Sequence, residues 1–312
     1  MEKSMEQIWT GRIDANTTAD NARYHQIIEH QSLGAVTEQS VPTVGIIGFE
    51  CDEGVRRNGG QVGSAKAPNE IRHALANIPW RAPQPSKVID FGNVVCRDGR
   101  LEQAQEELGE AVHTLIQANN RVVVLGGGHE TLYGHYLGVR KAYGKNKRIG
   151  LLNIDAHFDL RDYSEQTSSG TMFKQILDED SQAQYMVCGI GRYSNTTELF
   201  KRAEAYNVQF FYEDDLSRAE LQLAIDEFAQ KCDIILLTVC MDVIDVAHAP
   251  GVSATAAFGL LPKQVREIIQ IVMQHPTATT FNICEVNPDL DHDHRTEKLA
   301  AQLTNEAILG LL

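Results

Sequence analysis

The run Asp155-Ala156-His157-Phe158-Asp159 sets two carboxylates and an imidazole at alternate positions. In an extended segment, residues i, i+2 and i+4 project to one side, so the three side chains converge. Unpaired like charges held that close are costly, and a divalent cation removes the cost. Carboxylate oxygens with imidazole nitrogen suit Mn2+ or another first-row divalent ion. The same residues also have a plainer use, in which Asp155 caps the next helix, Asp159 pairs with Arg161 and His157 is a buried neutral side chain. His129 favours the metal, because the preceding Gly126-Gly127-Gly128 lets backbone and ligand approach closely at a strand-to-helix turn. That turn is neither G-x-G-x-x-G nor a P-loop with its lysine, so no nucleotide site is read from it. Asp242 and Asp245 follow a long apolar run and by themselves fit a turn and a cap. Asp291-His292-Asp293-His294 looks metal-like, yet it precedes a terminal helix as a polar loop and is expected to be solvated. His135 is expected to pack.

These residues need a scaffold that delivers them to one place. Apolar runs that read as strands cover 44–49, 87–94, 122–127, 149–155, 185–191, 208–213, 234–242 and 279–286. Most are continuously apolar rather than alternating, as expected where helices cover both faces of a parallel sheet. Helices fit 68–77, 101–119, 130–142, 196–206, 217–231 and 262–275, the first and last opened by proline near the first turn. The pattern is one α/β domain over residues 1–312, with a mainly parallel sheet of about eight strands and no internal repeat. Strand order does not follow from it. His129, Asp155, Asp242 and Glu285 all fall at the C-terminal ends of strands, the edge where open α/β sheets bind ligands.

The bulk composition narrows the partners. A formal net charge of −14 over 312 residues argues against nucleic acid or an anionic membrane, which both call for excess Lys and Arg. Six scattered cysteines form no C-x-x-C pair, which indicates neither a zinc ribbon nor a thioredoxin motif. The N-terminal residues lack a signal-peptide pattern and no long apolar span follows, so a cytoplasmic location is expected.

Four blocks carry a specific resemblance: GGGHE (126–130), NIDAHFD (153–159), MDVIDVAHAPGVSA (241–254) and EVNP (285–288). In order and spacing over nearly the whole chain they resemble the arginase/agmatinase, or ureohydrolase, superfamily. DAHFDLR (155–161), SSGTMFKQIL (168–177), GIGRYSNT (189–196) and TVCMDVIDVAHAPGVSA (238–254) are most similar to its branch that hydrolyses N-formimidoyl-L-glutamate. The resemblance implies a three-layer α/β/α fold around a parallel eight-stranded sheet, two Mn2+ per subunit, and a homo-oligomer. It implies that His129 and Asp159 hold one ion, His157 and Asp242 the other, and that Asp155 bridges them. Most relatives place a second bridging Asp where this chain has Cys240. A thiolate can ligate metal when cations lower its pKa, so Cys240 is either the sixth ligand or a small buried strand residue beside a weakly held ion.

The implied substrate is a small amidine carrying two carboxylates, cleaved to glutamate and formamide. Two cations about 3.5–4 Å apart share a water and lower its pKa. Asp159 is the expected proton shuttle, and Glu285 the acid that pairs with the cationic amidinium. Arg161 and Arg192 are expected to bind the carboxylates, since Arg offers a two-pronged donor set. Ser168, Ser169 and Asn195 are candidate polar contacts. Arginases have a histidine after the Ser-Gly turn where this chain has Phe173. The alternatives are an agmatinase or guanidino-acid hydrolase, whose agmatine substrate would need acids in place of arginines, and a non-catalytic relative, supported only by Cys240.

Overall fold

In a computed structural model, which describes residues 5–14, 18–215 and 217–312, nine strands form one sheet. They are β1 (Glu29–His30), β2 (Thr43–Glu50), β3 (Lys87–Val95), β4 (Arg121–Leu125), β5 (Ile149–Ile154), β6 (Ala183–Ile190), β7 (Gln209–Tyr212), β8 (Ile234–Cys240) and β9 (Ala278–Cys284). Their order across the sheet is β1-β3-β2-β4-β9-β8-β5-β6-β7, and every neighbouring pair is parallel. Eight of them match the expected apolar runs. The ninth, β1, corrects the expected count: two exposed residues that pair with Ile89 and Asp90 of β3 are too short to leave a pattern in the sequence.

Alternation along the strands feeds two separate cores. Val123 and Leu125 of β4 pack on one face with residues of the helices Ala67–Ala76, Arg218–Lys231, Pro262–Met273 and Arg295–Leu311. Val122 and Val124 pack on the other with the helices Leu101–Gln117, Thr131–Tyr143 and Met172–Glu179. Both faces of the sheet are therefore covered, giving the three-layer α/β/α architecture, and the continuous apolar runs follow from it. The helix Met172–Glu179 lies outside the expected helices, because its Ser-Ser-Gly approach reads as loop. A fully buried ion pair ties helix Ala67–Ala76 to the sheet: Arg72 Nε and Nη2 donate to Asp90 Oδ2 and Oδ1 at 2.8 and 2.9 Å. The same Asp90 Oδ2 accepts from Trp9 Nε1 at 2.6 Å.

Candidate metal centre

Strand order is what brings the polar residues together. β4, β9, β8 and β5 are consecutive neighbours, and they deliver His129, Glu285, Cys240 with Asp242, and Asp155 to the same edge. At Gly127 a Cβ would lie 1.8 Å from the Cys51 carbonyl oxygen, so only glycine fits the turn that leads to His129. The Asp155–Asp159 segment is not extended, which corrects the expected route to convergence. β5 ends at Ile154, the chain bends at Ala156 and His157, and His157 N donates to Asp155 Oδ1 at 2.8 Å. Asp159 has φ +49° and Glu285 φ +68°, left-handed conformations that non-glycine residues seldom adopt and that concentrate at functional sites.

The contacts fall into two groups that share Asp155. His129 Nδ1 lies 2.9 Å from Asp159 Oδ2 and 3.1 Å from Asp155 Oδ2. His157 Nδ1 lies 3.2 Å from Asp242 Oδ2 and 3.5 Å from Asp155 Oδ1. Ligand atoms of His129, Asp155 and Cys240 lie within 4.8 Å of one another, as do those of Asp155, His157 and Asp242. Burial alone would depress the His129 imidazole, yet hydrogen bonds to Asp155 and Asp159 raise it to about 10. Burial likewise opposes the charged form of His157, and Asp242 and Asp155 raise it well above the usual range. Protons on the two imidazoles thus offset the packed carboxylates of the ion-free cluster. Burial and the Asp155 charge push Asp159 up to about 6, and burial with the same charge raises Asp242. Asp242 Oδ1 is buried without a hydrogen-bond partner. Imidazoles, clustered carboxylates and an orphaned carboxylate oxygen together fit hard divalent cations.

A cavity of about 290 Å3 opens above this cluster, lined among others by His129, His157, Asp159, Arg161, Ser169, Cys240, Asp242 and Glu285. Glu285 Oε1 accepts from His129 N at 2.8 Å, and burial followed by the charges of Glu130 and Asp242 raises its carboxyl well above the usual range. Cys240 is buried, and burial with the charges of Asp155 and Asp242 pushes its thiol up; the neutral thiol is the form favoured without ions. Arg161 lines the cavity, and its guanidinium has no acid partner among the described residues. Two other candidates are spent elsewhere. Arg192 pairs with Asp214 at 3.0 Å and stacks on Tyr212, and it is not among the cavity's lining residues. Asn195 Nδ2 donates to the carbonyls of Ala156 and Gly191, while its Oδ1 accepts from Phe158 N, so it braces the metal loop. Ser168 lines an adjoining outer cavity. Outside the site, Asp291 caps the terminal helix by accepting from Thr296 N and Glu297 N. His135 is buried against Thr280 and Asn282, where burial lowers it to about 3.

Sequence reasoning missed the residues that orient the ligands. Thr238 Oγ1 lies 3.0 Å from His129 Nε2, and Asn153 Nδ2 donates to Asp155 Oδ2 at 3.1 Å. Both sit two residues before a site residue on the same strand face, so the period-2 rule would have found them. Phe173 meets the His129 ring edge-on, with centroids 5.9 Å apart, and stacks on Tyr185 at 3.9 Å.

Residues 42–310 match the model of the arginase family. The chain is 50% identical over 308 residues to a formimidoylglutamase of Lysinibacillus sphaericus, covering 97% of this chain and 96% of that one. Its fold is similar to the crystal structure of formimidoylglutamase from Bacillus subtilis, with TM-score 0.83 at 23% identity over 95% of this chain and 94% of that one. It is also similar to a Trypanosoma cruzi formiminoglutamase crystallised with Mn2+, with TM-score 0.78 at 22% identity over 90% and 98% of the two chains.

Proposed function

The chain belongs to the arginase family, and from that premise we propose that it hydrolyses N-formimidoyl-L-glutamate to L-glutamate and formamide. The observation that carries this reading is the pair of imidazole–carboxylate groups sharing Asp155, set under a cavity whose one arginine lacks an acid partner among the described residues. The nearly full-length identity to a formimidoylglutamase supports it. Two Mn2+ ions would be held by His129, Asp155 and Asp159 on one side and by His157, Asp155 and Asp242 on the other, with Cys240 beside the first set. When bound they neutralise the carboxylates and lower the pKa of a shared water.

The chain's own residues do the rest. Asp155 is fully buried, so Asp159, Asp242 and Glu285 are the carboxylates that reach the cavity. Glu285 Oε1 accepts from His129 N, and as a cavity-lining carboxylate Glu285 would pair with the substrate's amidinium and align the electrophilic carbon. Asp159 accepts the proton of the attacking water. The C–N bond to glutamate breaks as the same carboxyl delivers that proton to the departing nitrogen. Arg161 faces the carboxylate end, where an agmatine ammonium would be repelled. The six free cysteines support a reducing, cytoplasmic setting, and no helix among the described residues is long and apolar enough to cross a membrane.

Turnover by the Mn2+-loaded chain of N-formimidoyl-L-glutamate, agmatine and 4-guanidinobutyrate tests the reading. N-formimidoyl-L-glutamate is expected to be the preferred substrate by kcat/KM. Preference for agmatine would overturn the assignment, and absence of hydrolysis of all three would point to a non-catalytic relative.

A further inference from the structure

The proposed substrate carries two carboxylates, and among the described residues the cavity supplies a single cation without an acid partner. A second, outer cavity of about 590 Å3 adjoins the metal cavity, and Asn58, Arg161 and Leu199 line both, so these three form the neck between them. The outer cavity is lined by two further arginines, but both are neutralised. Arg57 donates to Glu53, Glu102 and the Gly99 carbonyl, and Arg202 to Glu198 and the Leu160 carbonyl. The Asn58 side chain, by contrast, makes no hydrogen bond among the described residues, although its backbone N–H is fixed to Gly54 O at 3.0 Å. A Cβ built on Gly170 would lie 3.2 Å from Arg161 Nε and 3.3 Å from Asn58 Nδ2. Arg161 Cδ would be nearer still, at 2.8 Å, so Gly170 lies against both side chains and the fold sets these two exposed donors beside one another at the neck. Arg161 is held in register there, its backbone N donating to Gly170 O at 2.8 Å.

We propose that Asn58 is a specificity-determining residue that, together with Arg161, binds the substrate's side-chain γ-carboxylate at this neck. The inference rests on the hydrolysis proposed above. The reacting carbon must sit over the ligand cluster, and the α-carboxylate, attached beside the reacting nitrogen, stays within the metal cavity. The γ-carboxylate is the end that reaches the neck. The Arg161 guanidinium supplies the charge and Asn58 Nδ2 a further donor, so a neutral amide in place of the carboxylate gains little from the pair.

The test is steady-state kinetics of the Mn2+-loaded full chain on N-formimidoyl-L-glutamate and on N-formimidoyl-L-glutamine, its neutral near-isostere. Asn58→Ala is expected to lower the ratio of kcat/KM values, glutamate over glutamine, by about tenfold through KM, as for one lost charge-assisted hydrogen bond. Asn58→Asp is expected to lower the ratio further, because it sets a like charge against the carboxylate. A ratio within twofold of the unaltered chain in both variants would overturn the inference, as would an equal loss on both substrates. Absence of N-formimidoyl-L-glutamate turnover by the unaltered chain would overturn the functional reading and this inference with it. Bound Mn2+ and melting temperature, measured for each variant, separate a binding effect from a misfolded loop: losses that track either quantity rather than substrate charge overturn the role given to Asn58.

Discussion

Replacing Thr238 with valine tests how His129 is held. The imidazole is 1% exposed, its Nδ1 faces Asp155 and Asp159, and its Nε2 lies 3.0 Å from Thr238 Oγ1. A ligand that binds through Nδ1 must carry its proton on Nε2, and Thr238 is then the acceptor. Valine keeps the β-branched shape that β8 packs but leaves that N–H buried and unpaired. Such a group costs about 1–3 kcal/mol. At about 1.4 kcal/mol per tenfold this is roughly a 5- to 150-fold effect. It agrees with the 10- to 100-fold typical when the partner of a metal-binding histidine is removed. Calorimetric titration of the ion-free chain with Mn2+ should therefore show affinity at the His129 position weakened by about ten- to a hundredfold, with Thr238→Ser close to the unaltered chain. Thr238→Val affinity within twofold of the unaltered chain would refute the idea that this hydroxyl fixes the ligand's tautomer and orientation.

Three further outcomes follow from the same geometry. Asp155→Asn should abolish Mn2+-dependent turnover, since Asp155 is the carboxylate common to both contact groups; retention of full activity would refute its bridging place. Cys240→Asp exchanges a thiol for the harder oxygen donor that Mn2+ prefers. It should tighten Mn2+ binding while lowering the melting temperature of the ion-free chain, because a fifth carboxylate joins Asp155, Asp159, Asp242 and Glu285; unchanged Mn2+ affinity in metal titrations would argue that residue 240 is no ligand. Glu130→Gln addresses pH. Burial lifts Glu130 to about 7 from its ordinary 4.5, so its favourable contribution is complete below about pH 4.5 and is lost as pH rises through 7. The full loss is on the order of 3 kcal/mol. The glutamine variant should gain melting temperature relative to the unaltered chain between pH 5 and 8, and a difference independent of pH would contradict the assignment.

Much of the fold was legible because the strands are buried on both faces. Runs such as Val122–Leu125 and Ile234–Val239 admit no amphipathic alternative. The ligand residues were legible because their types are out of place at the ends of such runs. Strand order was not legible, since neighbours in a parallel sheet are joined through long crossovers that carry no pairing signal; the adjacency of β4, β9, β8 and β5 came only from the structure. Positions set by loop conformation were also hidden. Arg161 and Arg192 look equivalent in sequence, yet the Glu213-Asp214 turn beside Arg192 gives it an ion pair while Arg161 is left unpaired. Asn58 and Gly170, 112 positions apart, gained meaning only when the fold set Gly170 beside both Asn58 and Arg161.

Cleavage of the bond between an amidine carbon and the glutamate nitrogen, with Mn2+ bound, is decided by its products. Proton NMR of the products formed from N-formimidoyl-L-glutamate by the Mn2+-loaded chain, run beside a chelator-treated control, tests it most directly. Formamide and L-glutamate are expected in equal amounts, with none in the control until Mn2+ is restored. N-formyl-L-glutamate with ammonia, or identical turnover with and without metal, would contradict it.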